Sequence, residues 1–180
     1  MSYFIISQNL TKSGLKLPKH AILRVNLAWH KDLESVGNML GEYPDNDKFL
    51  DIPIGRKKPP NHKHDLDNIA AMSNMAQNVK YVAISNVEDP ESLRYYCGKF
   101  RAKIVPKIET LKGAMLLPKI LSALNYKPGV IMLDHEDLFS NLVHLRKEAH
   151  YLDIVDKIKE VCNKKKVHLL RVKGIIFSDD

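Results

Sequence analysis

Little in this chain points to covalent or thiolate stapling: its 180 residues include two cysteines, Cys97 and Cys162, with neither a CxxC nor a Cys/His spacing. That excludes a disulfide framework and a zinc site of the thiolate type, and both thiols read as free and at least half-buried on helices. No apolar stretch is long enough to cross a bilayer. The opening Met1-Ser2-Tyr3-Phe4-Ile5-Ile6 lacks the basic start and the extended apolar run of a secretory signal, so a cytoplasmic location is expected. Internal repeats and low-complexity linkers are lacking too, which leaves one domain over residues 1–180. Aromatic residues make up only 7% and do not interleave with the basic patches Arg56-Lys57-Lys58, His62-Lys63-His64 and Lys164-Lys165-Lys166. A stacking platform for single-stranded nucleic acid is therefore not expected, and neither nucleic acid nor a membrane is an expected partner. The net charge of +7 is spread along the chain and reads as solvated surface.

What is present is enough apolar material, 44% of residues, to build a core at this length. Short β-rich runs alternate with helical periods, the pattern of β/α units around a parallel sheet. The strands are expected at 3–7, 21–26, 49–54, 81–85, 103–108, 130–133 and 167–172. Seven is one short of a closed barrel, and Gly174-Ile175-Ile176-Phe177-Ser178 reads either as an eighth strand or as a continuation of the seventh. Helices are expected over 30–40, 64–76, 90–100, 110–124 and 141–163, the last with a possible break. Asp89-Pro90 and Thr110 read as helix starts. The loop 55–61, rich in proline and basic residues, is the least regular segment and a candidate cover for a site.

In a parallel barrel the functional groups gather where strands end. Those ends carry Arg24-Val25-Asn26, Asp51, Ser85, Lys107-Ile108-Glu109, Asp134-His135-Glu136-Asp137 and Arg171. Alternation along a strand puts Lys107 and Glu109 on one face, pointing into the mouth. The next strand ends in the acidic run. Carboxylates from adjacent strand ends, completed by waters and a bidentate acid, suit octahedral Mg²⁺ or Mn²⁺. Lys107 and Arg24 would then neutralise a substrate carboxylate or a developing enolate oxygen. His135 is a candidate proton carrier inside the acidic run, and His30 reads either as a proton carrier or as a solvated helix start.

The run Lys107-Ile108-Glu109-Thr110-Leu111-Lys112-Gly113, followed after one helix by Gly129-Val130-Ile131-Met132 and Asp137-Leu138, resembles the barrel domain of pyruvate kinase and its relatives. Their superfamily, the phosphoenolpyruvate/pyruvate barrels, includes the HpcH/HpaI aldolases and the citrate lyase beta-subunit group. Leu23-Arg24-Val25-Asn26, Phe49-Leu50-Asp51, Tyr81-Val82-Ala83-Ile84-Ser85 and Cys162-Asn163-Lys164 fall in matching order. The resemblance implies a TIM-type (β/α) barrel reduced to seven or eight parallel strands. It makes Glu109 and Asp137 the ligands of Mg²⁺ or Mn²⁺, Lys107 the lysine beside the enolate oxygen, and Arg24 part of the anion site. Asn26 and Asp51 match residues near a monovalent cation, and the amides around Glu136, Asp137 and Leu138 would face the substrate acid.

Departures choose between branches of that superfamily. Ala28 and Ile52 stand where pyruvate kinase has a serine and a threonine, and its catalytic threonine falls at or near Arg171. Its lid and regulatory domains do not fit in this length. The expectation is therefore a Mg²⁺-dependent carbon–carbon lyase or aldolase acting on a keto acid or phosphoenolpyruvate-like substrate. A pyruvate kinase-like phosphotransferase is an alternative, as is a non-catalytic binding or assembly relative. A homo-oligomer is expected. The reading requires Glu109 and Asp137 to face one cation, and a structure with either locked in a core salt bridge would count against it.

Overall fold

The computed structural model describes residues 4–11, 16–56 and 59–171. Seven strands, β1 (Ile5–Ser7), β2 (Ile22–Asn26), β3 (Asp47–Ile52), β4 (Val79–Ile84), β5 (Lys103–Ile108), β6 (Val130–Leu133) and β7 (His168–Arg171), form one parallel sheet in sequence order. Each neighbour pair is joined by helical crossovers, which is what parallel pairing requires. The sheet curls into a half-barrel, and β1 and β7 are its two edges among the described residues. The residues after Arg171, including the expected eighth strand, lie outside those described.

Alternation sorts each strand between two cores. Ile22, Phe49, Tyr81, Ala83, Val105, Val130 and Met132 fill the concave side. Leu23, Val25, Leu50, Ile52, Val82, Ile84, Ile104, Ile108, Ile131 and Leu133 pack outward against the helices. Going up the concave face of β5, apolar Val105 gives way to Lys107 and then Glu109, so the polar residues collect at the carboxyl end.

The helices are α1 (Gln8–Thr11), α2 (Leu33–Gly41), α3 (Leu66–Met75), α4 (Pro90–Lys99), α5 (Leu111–Met115), α6 (Leu117–Ser122), α7 (His135–His144) and α8 (Tyr151–Lys165). Asp32, Asp65, Asp89, Thr110 and Asp134 each cap a helix by accepting from the amide three residues on. Each such cap is worth about 1 kcal/mol. Two expected helices are corrected. The one over 110–124 is split at Leu116, because Pro118 has no N–H and its ring crowds the Ala114 carbonyl. The one expected from residue 141 begins at His135, where Asp134 caps it, and breaks before α8 at Arg146, whose φ is +56°. Cys97 is half-buried and Cys162 buried, both unpaired with each other. Among the described residues no helix is long and apolar enough to cross a membrane.

Candidate functional site

The carboxyl ends of β2 to β6 converge on a cavity of about 430 Å³, lined by Asp51, Ser85, Lys107, Glu109 and Asp137 among others. Register makes this convergence. Lys107 is level with Met132 on β6, so the strand-end residues two further on, Glu109 and Asp134, meet at the rim. The two loops are tied by the Asp134 amide donating to the Ile108 carbonyl at 3.4 Å.

Lys107 is the hub. Its Nζ is 2.7 Å from Glu109 Oε1, 3.5 Å from Asp51 Oδ1, 3.8 Å from Asp134 Oδ2, and donates to Ser85 Oγ at 3.3 Å. Burial pulls the Lys107 ammonium down, but Asp51 and Glu109 outweigh it and its pKa ends above the ordinary lysine value. Burial pushes the Glu109 carboxyl up, against the opposite pull of Lys107 and of the Asn86 amide, which donates to Oε2 at 2.7 Å. Glu109 is thus in a buried ion pair, but at the cavity wall rather than sealed in the core.

Glu109, Asp134 and Asp137 each bring one carboxylate oxygen within 4.8 Å of the others. Sequence reasoning paired Glu109 with Asp137 and missed Asp134 as a third member. Its signal was the spacing Asp134-x-x-Asp137 directly after a strand, which reads first as an N-cap; Asp134 Oδ1 does accept from the Asp137 amide at 3.2 Å. Three carboxylates on hard oxygen donors, of which Glu109 is nearly fully buried, fit a divalent cation such as Mg²⁺ or Mn²⁺.

Other expected site residues are placed differently. Arg24 is turned onto Asp51, with Nε 3.1 Å from Oδ2 and a second bond from the same guanidinium, and it is not on the cavity wall. Asn26 lines the cavity, yet its side chain caps the turn after β2 by accepting from the Ala28 amide. The amides of Asp137 and Leu138 are already used, bonding to Asp134 Oδ1 and to the Asp134 carbonyl, and the Leu138 side chain is core. In this structure those two amides are engaged in the first turn of α7, one by the cap and one by the main-chain ladder. Glu136 is exposed, and Arg171 is exposed at the end of β7, off the cavity wall. His135 is also off that wall. Its Nδ1 meets the Tyr151 hydroxyl at 2.5 Å, and burial, followed by the nearby Arg171, holds its pKa below the usual histidine value. His30 is neither solvated nor at the cavity; it is buried, with Nδ1 3.2 Å from Ser35 Oγ and Nε2 3.4 Å from Gln8 Oε1.

No family model matches this sequence, and no curated protein matches it. Solved structures do match in fold. An HpcH/HpaI aldolase/citrate lyase family protein from Burkholderia cenocepacia J2315 aligns over 94% of this chain and 79% of its own, with a TM-score of 0.69 and 9% identity. Citrate synthase SbnG aligns over 95% and 77%, with a TM-score of 0.65 and 14% identity. RipC from Yersinia pestis aligns over 98% and 77%, with a TM-score of 0.64 and 9% identity. At these identities the likeness is one of fold: a shortened α/β barrel, as the sequence resemblance implied.

Proposed function

We propose that this chain is a divalent-metal-dependent lyase or aldolase acting on 2-oxo acids related to pyruvate. The observation that carries the proposal is the set Glu109, Asp134 and Asp137, with carboxylate oxygens within 4.8 Å of one another beside a buried lysine. These three residues would hold Mg²⁺ or Mn²⁺. The bound cation would supply Lewis-acid stabilisation of negative charge developing on a keto oxygen. The chain's own groups do the rest. Lys107, kept charged by the surrounding carboxylates, presents an ammonium to the developing anion and can hold or deliver a proton at Nζ. Asp51 and Ser85 fix where that ammonium sits. Arg24 acts on the site through Asp51 rather than by gripping substrate directly. Likeness to lyase-family structures supports this reading at the level of fold.

Calorimetry with Mg²⁺ and oxalate, a mimic of the pyruvate enolate, tests it. Metal-dependent oxalate binding that is lost in Glu109→Gln is expected; binding that ignores Mg²⁺, or survives in that variant, rules the reading out. A second reading, a non-catalytic assembly protein, draws on β1 and β7, which are the edges of the sheet among the described residues and the places where a second copy could add to it. It predicts no metal-dependent binding and a dimer or larger species by mass measurement in solution.

A further inference from the structure

A second cavity, of about 550 Å³, opens at the other end of the strands, beside the amino ends of β6 and β7. Its volume is in the range of small-molecule sites. One wall is the segment between α6 and β6, which brings Lys127; the other is the junction of α8 with β7, which brings Lys165 and Lys166. No carboxylate is among its lining residues.

Both walls are held in place. The Tyr126 hydroxyl accepts from the Val130 amide at 3.3 Å and donates to the Ile104 carbonyl at 3.0 Å, which ties the first wall to the starts of β5 and β6. Gly129 is buried, and a Cβ there would lie 2.9 Å from Leu124 Cδ1 and 3.5 Å from Val167 Cγ2, so its lack of a side chain lets the two walls approach. α8 stops at Lys166, whose φ is +55°, and the Val167 amide donates back to the Cys162 carbonyl at 2.9 Å.

The polarity of α8 accounts for a lysine in its last turn, since carbonyl ends favour cations. It does not account for Lys127, which stands on no helix. Among the described residues, no ion pair or side-chain hydrogen bond engages Lys127, Lys165 or Lys166. A further ammonium, Lys103 at the start of β5, lies 5.5 Å from the centroid of the Tyr126 ring. At the start of β4, by contrast, Lys80 is matched by Asp47 at 2.8 Å. Cations gathered without a counter-charge repel one another, and an external anion relieves that repulsion.

We infer that this cavity binds an organic diphosphate. Lysine meets phosphate as a point charge and needs no planar partner, and a diphosphate carries enough oxygens to reach ammonium groups from both walls. Leu121, Leu124, Tyr126 and Val167 give the rest of the cavity an apolar surface for the ligand's body. The inference is independent of the metal site at the opposite strand ends.

The test is calorimetry on the full chain in chelator, so that no diphosphate enters the mouth as a metal complex. The probes are inorganic pyrophosphate, ADP, geranyl diphosphate and adenosine. At least one of the two organic diphosphates should bind about tenfold more tightly than pyrophosphate, and adenosine should bind far more weakly than ADP. Which organic diphosphate gains more identifies the body as a ring system or a hydrocarbon. Lys127→Gln/Lys166→Gln, which removes one exposed charge from each wall, should lower that affinity about tenfold or more without moving the melting temperature. Lys147→Gln/Lys157→Gln removes as much charge away from this cavity and should leave the affinity unchanged. No gain over pyrophosphate, affinity that survives Lys127→Gln/Lys166→Gln, or an equal loss in the two double variants overturns the inference.

Discussion

The Lys107 ammonium lies 2.7 Å from the Glu109 carboxylate although the two residues are only 5% and 4% exposed. They are two positions apart on β5, so the strand's alternation alone aims both into the same mouth. A buried pair of this kind adds little net stability, but removing one partner strands the other.

Lys107→Met should therefore destabilise the protein by roughly 3–5 kcal/mol in the presence of a chelator, since Glu109 and Asp51 lose their shared counter-charge. Mg²⁺ should restore more stability to this variant than it adds to the unaltered chain, because a bound cation replaces the missing charge and binds only the folded state. Urea melts with and without Mg²⁺ measure both. Equal stability of the two proteins in chelator would refute the charge argument.

Asp134→Asn isolates the metal role of a residue that also caps α7. Asparagine caps as well as aspartate, so helix stability should change little. Mg²⁺ affinity should fall about 10- to 100-fold through loss of one anionic donor. Calorimetric titration of Mg²⁺ decides, and unaltered affinity would leave Asp134 as a cap only.

Gly113 sits where α5 meets the loop after β4, and a Cβ there would lie 2.7 Å from the Val87 carbonyl oxygen. Backbone on the other side leaves no flexible atom to yield. Gly113→Ala should cost about 1–3 kcal/mol despite the better helix propensity of alanine. A chemical denaturation midpoint equal to or above that of the parent would contradict the close approach.

His135 gives a pH dependence with a definite sign. Burial first, then Arg171, depresses its folded-state pKa below the ordinary 6.5, with Asp134 opposing. Its contribution is therefore fully present above pH 6.5 and is lost as pH falls through the depressed folded value. The melting-temperature gap between the parent and His135→Gln should narrow from about pH 7.5 down to about pH 5. A gap constant over that range would mean the ring does not titrate differently on folding.

Much of this was readable in the order of residues. Strands 103–108 and 130–133 fall at the expected bounds because short apolar runs flanked by turn residues admit few alternatives. Asp89-Pro90 and Thr110 open helices because their side-chain oxygens reach amides three residues on, a contact contained in a few neighbouring positions. The α5–α6 break is local as well, since Pro118 starts a new helix by lacking the N–H that would continue the old one.

Local order along β5 determined that Lys107 and Glu109 share a face, since the period of a strand needs no partner. Only the tertiary structure decided that Asp134 joins Glu109 and Asp137, that Arg24 is spent on Asp51, and that Arg56 stands on the cavity wall. Each of these depends on the register between parallel strands or on a loop folding back over their ends. Such distances are set by packing between segments remote in sequence, and no pattern within a single segment encodes them.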